Sequence, residues 1–538
     1  MRLLAIPIIA LLFTSCANII PPTGGPKDTI PPTLIKSVPI DEQTNFKNQE
    51  IILDFDEPIQ LKNAKEEIII TPALSQEPEY LFRKNQVLIK TKVPFGKDTT
   101  YSIAFRQSIQ DLNEGNPAED LRLAFSTGSL IDSLSISGRV KTAAEAKPGE
   151  KFTVAIYQQD TFDIFKHKPV YVTRANKLGR FTIRNLKPGT YKVYAFYDKN
   201  KNLKIDSQSE SFGTAAMPVT LPEFKDSLNI NVIRLDMRPI KLNSSRGVAN
   251  TATIRLNKAP KTYRLSALNK GDYVLSHYNT TRSEITAYPP KTWPDSTSVR
   301  LTAQDSAGSL IDTVFYIKQT KQKPIKESFK AAFRSINYIN AIKKLDTDLT
   351  MTLPAGHINT DSILLLNDTI PLRSLNRSSL VYDTTNLKIT IREDLNLPDS
   401  LVKKKLNLSF RKGWLISIYN DTLKTTDQRV TVKSQETLGS IALTVKTSQE
   451  NIVLQLLNEK YEVLESQPLS KLNTFKNLDP LPTIIRAFRD DNKNGKWDYG
   501  NPKLNIQPEP VWIYEDKDNK RPVPLRANWF VETEWNLK

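Results

Sequence analysis

Residues 50–59 read EIILDFDEPI, and in that stretch the apolar Ile51, Leu53 and Phe55 fall on every second position. A side-chain period of two belongs to a strand with one face buried, so this stretch decides the fold class. Working outward, the same spacing returns at Val87, Ile89, Thr91 and Val93, at Tyr101, Ile103 and Phe105, and at Leu121, Leu123 and Phe125. Turn formers punctuate the runs, among them Asn113 to Pro117 and the exit Ser126-Thr127-Gly128. Short alternating strands broken at close intervals by turns predict a β-sandwich. Helical periodicity is scarce, and the segment from Ile325 to Ala341 holds the best short helix candidate.

The 538 residues are 39% hydrophobic and 25% charged, a balance that folds rather than staying disordered. At that length the chain holds several domains. Its single cysteine, Cys16, follows Arg2 and an apolar run from Leu3 to Phe13 that ends Phe13-Thr14-Ser15-Cys16. A positive start, about ten apolar residues and small residues before the cut make a secretory signal, here assigned to residues 1–15. A cysteine directly after it is the position a bacterial lipoprotein acylates, so Cys16 is expected to carry the lipid. With no second cysteine no disulfide can form, and the domains must hold by packing alone. Residues 16–32, rich in proline and glycine, read as a tether that holds the body off the membrane. The net charge of +17 is spread along the chain without a basic stripe, which argues against nucleic acid and suits an anionic membrane surface or plain solubility. The expected location is the outer membrane, lipid-anchored, with its face left open.

The chain also matches itself. Residues 185–206 (NLKPGTYKVYAFYDKNKNLKID) align without a gap on 477–498 (NLDPLPTIIRAFRDDNKNGKWD), at an offset of 292 and with 11 of 22 positions identical. One module therefore occurs twice, separated by other domains, in a string of beads rather than a solenoid. The division is 30–129, 134–236, 237–323, 326–434 and 437–538, the middle two read only from their strand-rich character.

Three groups of residues carry resemblances. Pro31-Pro32, Val38-Pro39, Ile52 to Ile59, Thr99-Thr100-Tyr101, Asp111-Leu112-Asn113, Gly115-Asn116 and the closing Phe125 to Gly128 resemble the Ig-like domain of bacterial surface-layer and Bacteroidetes envelope proteins. Ile136 to Val140, Gly179-Arg180-Phe181 and Asn185 to Tyr191 resemble the carboxypeptidase-regulatory-like, transthyretin-type sandwich. In the second copy Leu481 and Pro482 replace Gly189 and Thr190, so the fold of 437–538 is inferred from the repeat. Together with Cys16 and its tether, this order looks like the Ig-like-domain lipoproteins of Bacteroidetes outer membranes. The implied fold is all-β, with tandem Ig-like and transthyretin-like β-sandwiches.

Metal-ligand spacing occurs only in the repeated loops. Asp490, Asn492, Asn494 and Asp498 place oxygens at positions 1, 3, 5 and 9 around Gly495, a pattern suited to structural Ca²⁺. Asp198, Asn200, Asn202 and Asp206 repeat it more weakly, because Leu203 stands where glycine is wanted. The same residues equally suit an Asx-rich loop that caps its own backbone, and the sequence leaves both readings open. No cofactor is required by anything in the chain. His167, His277 and His357 stand in different domains, each read as a surface or turn residue, and no nucleophile elbow or phosphate loop occurs. Asp54, Asp56 and Glu57 form the densest acid group and read as a solvated strand face. Trp414, Trp497, Trp512/Tyr514 and Trp529/Phe530 suit core packing first, and sugars or a partner second. Asp-Ser and Asp-Thr sites at Ser133, Ser227, Thr313, Ser362, Thr369, Ser400 and Thr422 look like a Bacteroidetes O-glycosylation pattern.

These readings converge on a non-enzymatic scaffold or binding subunit of an envelope assembly, of the outer-membrane protein biogenesis or secretion kind. Its expected partners are the membrane, through the lipid, and an envelope protein. The alternative is a carbohydrate-binding or adhesive surface protein of a glycan-uptake system.

Overall fold

The computed structural model describes residues 28–118, 121–158, 162–206, 210–248, 251–268, 274–288, 296–318 and 327–537. Cys16, the signal segment 1–15, most of the tether and the junction near residues 321–324 lie outside them. The chain divides into two compact units, one of residues 1–135 with 170–172 and 183–188, the other holding the rest.

In the first unit the period-two residues face inward. Ile51, Leu53, Phe55, Val87, Ile89, Tyr101, Ile103, Phe105, Leu123 and Phe125 all enter one buried core. A four-stranded sheet runs in the order Leu34–Val38, Glu50–Phe55, Gln86–Lys90, Glu79–Arg83. A three-stranded sheet, Ile69–Thr71, Thr100–Ala104, Arg122–Ser126, supplies the other inner face. Phe46, Phe95, Tyr101 and Phe125 interlock, with ring centroids 4.8–6.2 Å apart, the range that favours edge and offset contacts.

The turn read at Asn113 to Pro117 is held by one buried carboxylate, that of Asp111. Asp111 Oδ1 accepts the amides of Glu114 at 2.6 Å and Gly115 at 2.8 Å, and Oδ2 accepts that of Asn116 at 2.9 Å. Burial works to raise the Asp111 pKa, but the amides of Gly115, Asn116 and Glu114 outweigh it and hold the carboxyl below its ordinary value. A depressed carboxyl pKa gives stability that is present above the unfolded value, about 3.9, and lost as pH falls through the folded one. Asp111→Asn should therefore cost about 1–3 kcal/mol at neutral pH, with the gap to wild type closing in acid; urea midpoints at several pH values measure it.

The repeated module occurs twice, with one topology, and most of both copies falls in the second unit. In the first copy a sheet Arg180–Leu186, Leu134–Thr142, Leu228–Val232 has its last two strands parallel. Its other sheet runs Tyr171–Arg174, Thr153–Tyr157, Gly189–Phe196, Phe212–Thr214, and Val219–Leu221 also pairs with Gly189–Phe196. The second copy repeats this strand for strand. Asn473–Leu478, Gly439–Lys446 and Phe530–Asn536 form the first sheet, again with a parallel last pair. Val463–Pro468, Ile452–Leu457, Thr483–Arg489 and Val511–Ile513 form the second, with Pro522–Val523 paired on Thr483–Arg489.

Between the copies lie two different constructions. Residues 240–318 pack a sheet Leu242–Val248, Thr251–Leu256, Glu284–Ala287, Ser276–Tyr278 against a sheet Thr262–Ala267, Ser296–Gln304, Leu310–Lys318. Residues 331–433 instead build a nine-stranded sheet, joined at its middle by the parallel pair Ile336–Ile339 and Thr426–Lys433, together with a separate two-stranded pair, Ala355–Ile358 with Leu415–Ser417. Leu365 and Leu408 from one end share a core with Leu349 and Ile389 from the other, so the sheet folds over on itself. The helix expected over Ile325 to Ala341 is replaced by strands. Its described part forms Ala331–Phe333 and Ile336–Ile339, followed by the short 3₁₀ turn Asn340–Ile342. Ile336 and Tyr338 alternate inward, and the Tyr338 hydroxyl donates to the Leu395 carbonyl at 2.8 Å, a period-two burial that outweighs helix propensity.

Candidate functional site

Both acid and amide loops close on the same hydrogen-bond frame. In the second copy Asp490 Oδ1 and Oδ2 accept the amides of Asn494 and Gly495 at 3.0 and 2.7 Å. Asn492 Oδ1 accepts Asn494 N–H at 3.1 Å and Asn494 Oδ1 accepts Lys496 N–H at 2.7 Å. The first copy reproduces each bond, with Asp198 accepting from Asn202 and Leu203, Asn200 from Asn202, and Asn202 from Lys204. Gly495 sits at φ +72° and Leu203 at φ +60°, so the leucine is forced into a region that costs it about 1 kcal/mol or more. In the second copy alone, the amide nitrogens of Asn492 and Asn494 both donate to Asp498 Oδ2, at 2.6 and 2.7 Å.

Each loop is anchored by a glutamate that the repeat alignment missed. Glu210 accepts the amides of Lys199 and Asp206 at 2.8 Å each, and Glu509 accepts those of Asp491 and Asp498 at 2.8 and 2.9 Å. The glutamates are 1% and 7% exposed. They stand 299 apart rather than 292, because the second copy inserts seven residues between its last aspartate and its glutamate, and that break hid them. Burial first, and then the neighbouring Asp498 and Asp490 charges, push the Glu509 carboxyl up; burial and Asp198 do the same to Glu210.

The residues fit a hard cation in donor chemistry, since every side-chain donor is oxygen. Geometry differs: among the described residues no three His, Cys, Asp or Glu side chains are gathered closely enough to hold a metal, and the loop oxygens are already taken by N–H donors. A bound ion would have to displace the two amide bonds on Asp498.

The inserted residues of the second copy dock on other domains of the same unit. Asn501 Nδ2 donates to the Ala307 carbonyl at 2.9 Å and Asn505 Nδ2 to that of Ala216 at 3.0 Å. Arg486, 6% exposed, donates to Gln455 Oε1 through two nitrogens and to the Ala144 carbonyl at 3.2 Å, its guanidinium 5.6 Å from the Trp497 ring centre. Arg521 donates to the carbonyls of Glu145 at 2.6 Å and Ala146 at 3.1 Å. The two copies are thus in contact, not separated beads. A cleft of about 530 Å³ opens beside this junction, lined by Val232, Ile233, Leu235, Ser306, Trp497 and Tyr499.

The remaining candidates scatter. Asp54 accepts from Gln86 Nε2 and Asp56 from Thr33 N–H, both at 2.8 Å, so neither carboxylate is turned toward the other in a shared site. His167 accepts the Asp163 amide at 2.9 Å. His277, read as a surface residue, is half-buried. Its Nδ1 lies 2.8 Å from the Tyr278 carbonyl and so carries the proton, Nε2 accepts from the Tyr288 hydroxyl at 3.0 Å, and burial lowers its pKa. Trp414 is core, Trp497 donates to the Glu509 carbonyl at 3.0 Å, the Tyr514 hydroxyl meets Thr533, and Trp529 and Phe530 are exposed.

Comparison with known proteins adds two family matches. Residues 28–127 match a bacterial Ig-like domain, and residues 145–232 match an uncharacterized protein family conserved in bacteria. None of the curated proteins compared matches the chain. Among solved structures, dimeric latent PorU from Porphyromonas gingivalis is 9% identical, covering 54% of this chain and 35% of its own, with a TM-score of 0.23. The S-layer protein rSbsC is 9% identical over 90% of this chain and 67% of its own, with a TM-score of 0.16. The major pilin subunit BcpA of Bacillus cereus is 8% identical over 75% and 99%, at 0.13. Scores this low carry no argument about function. The sheets and the first family match together make this an all-β, Ig-like-domain protein, with that domain at residues 28–127.

Proposed function

We propose that this chain is a non-enzymatic, lipid-anchored outer-membrane protein that serves as a scaffold or binding subunit of an envelope assembly concerned with outer-membrane protein biogenesis or secretion. The observation that carries the reading is Cys16 placed directly after an apolar leader and ahead of serial β-sandwiches. Acyl chains at Cys16 would fix one end, with more than one chain needed for lasting attachment. The sandwiches would then present edges and loops to a protein partner. Transthyretin-type architecture for the two copies and a Bacteroidetes source belong to the same proposal. The scattered histidines and the self-capped acids support a role without catalysis. Purifying the tagged full chain from native envelope tests it: a stoichiometric membrane-protein partner is expected, and a chain that elutes alone contradicts it.

A carbohydrate-binding or adhesive role in a glycan-uptake system is the second reading, favoured by Trp497 and Tyr499 at the mouth of a cleft. Binding of the full chain on a glycan array, lost in Trp497→Ala, would move the assignment there.

The second copy's loop is further proposed to take Ca²⁺ in a structural role, through Asp490, Asn492, Asn494 and Asp498, with the first copy's Asp198, Asn200, Asn202 and Asp206 weaker. Neutral amides among the ligands put the expected affinity around 10⁻⁴–10⁻³ M. Calcium at about ten times its Kd should add about 1.4 kcal/mol, a rise of a few degrees in Tm that Asp490→Asn abolishes. An identical Tm in calcium and in chelator would leave the loops as self-capped turns.

A further inference from the structure

The two edges of the four-stranded sheet in the first unit are built differently. The Leu34–Val38 edge has a bulge between Leu34 and Lys36 and is flanked by Pro32 and Pro39, devices that block strand addition. The opposite edge, Glu79–Arg83, also has a proline, Pro78, just before it, but it pairs with Gln86–Lys90 in unbroken register, with no bulge and no proline inside it. Among the described residues no strand pairs with its outer side. Leu81 and Phe82 on it are 49% and 48% exposed, and a groove of about 550 Å³ lined by Leu61, Ala64, Glu77, Tyr80, Leu81 and Phe82 lies along it.

The outward face of this sheet carries a pattern that the edge interrupts. Ile52, Leu88 and Leu81 stand side by side in one apolar row. Beside it Glu50, Lys90 and Glu79 alternate in charge, and on the other side Asp54, Gln86 and Arg83 line up. The segment Glu79-Tyr80-Leu81-Phe82-Arg83 is opposite in charge at its two ends around a central leucine. Laid antiparallel on a copy of itself, it sets Leu81 against Leu81 and Glu79 against Arg83 twice. The apolar row then runs unbroken through both copies, and Lys90, Glu79 and the second copy's Arg83 continue the alternation. Opposite charges directly across a strand pair are stabilising and like charges are not, so the strand favours this register over a slipped one.

We infer that the Glu79–Arg83 edge is a self-association surface, through which two copies of this chain join their four-stranded sheets into one of eight strands. The contact is isologous and closes at a dimer. A single edge-strand pairing is small, so it forms as concentration rises and is reversible.

Sedimentation of the full chain over a wide concentration range tests this, with circular dichroism to show that each variant is folded. The wild-type chain is expected to dimerise. Glu79→Arg, which places like charges opposite each other twice, should weaken the dimer about tenfold or more, and Glu79→Arg with Arg83→Glu should restore it. Residues opposite each other in an antiparallel pair lie about 4.5–5.5 Å apart at Cα, within disulfide range. With Cys16→Ser in place, Leu81→Cys should therefore oxidise to a covalent dimer. Val381→Cys, at a position 65% exposed on an edge of the nine-stranded sheet, should not. A chain that is monomeric at every concentration overturns the inference, as does a dimer indifferent to the charge exchange.

Discussion

Trp414→Ala is expected to destabilise the 331–433 sheet by about 3–5 kcal/mol, enough to unfold a domain of ordinary stability. Trp414 is fully buried, with its ring 4.8 Å from Phe410 and 6.4 Å from Phe333. It sits where the folded-over sheet closes, sharing one core with Leu365, Leu408, Leu349 and Ile389 from both ends of that sheet. Its backbone is engaged too, donating to Arg411 at 3.0 Å and accepting from Asn359 at 2.7 Å, so the residue cannot swing out to relieve a truncation. Trp414→Phe should cost markedly less, since most of the volume stays. Urea unfolding followed by circular dichroism separates the two; near-equal losses would mean that the core is not closed around this ring.

Lys258→Met is expected to cost about 3–5 kcal/mol as well, for an electrostatic reason. The Lys258 ammonium pairs with Asp305 and donates to the Asp236 carbonyl at 2.8 Å, and both side chains are nearly sealed, at 8% and 2% exposure. The Asp305 carboxylate also accepts the amides of Ala307 and Ser309, each at 2.8 Å, which fixes the turn whose Ala307 carbonyl receives Asn501. Removing the cation leaves a carboxylate with its two amides and no counter-charge. Lys258→Met with Asp305→Asn should recover most of the loss, because the cost lies in the orphaned charge rather than in the missing pair. A double variant as unstable as the single one would contradict this.

What the sequence made legible was whatever repeats at short range. Ile51, Leu53 and Phe55, like Tyr101, Ile103 and Phe105, alternate because one face of their strands meets the core and the other meets water. The two copies of the module could be matched because their 22 aligned residues hold no gap, and their sheets then agree in order and in the parallel closing pair. Where burial is two-sided the signal failed. In Thr483–Arg489 six of seven residues are buried, so Arg486 gave no sign that it reaches the first copy. The nine-stranded sheet within 331–433 depends on long-range pairing such as Ile336–Ile339 with Thr426–Lys433, which no local period encodes. Of the candidate site, the acids and amides of both loops were readable from spacing. Glu210 and Glu509 were not, because an insertion shifts one against the other; an acid following each loop was the only trace.

The proposed role requires the chain to be held at a membrane by its amino end, and intact mass spectrometry of the mature protein from its native envelope tests that most directly. The predicted result is a polypeptide beginning at Cys16 and heavier than its sequence by the mass of attached acyl chains. A mature chain with a free Cys16 thiol, or one cut elsewhere, would contradict it.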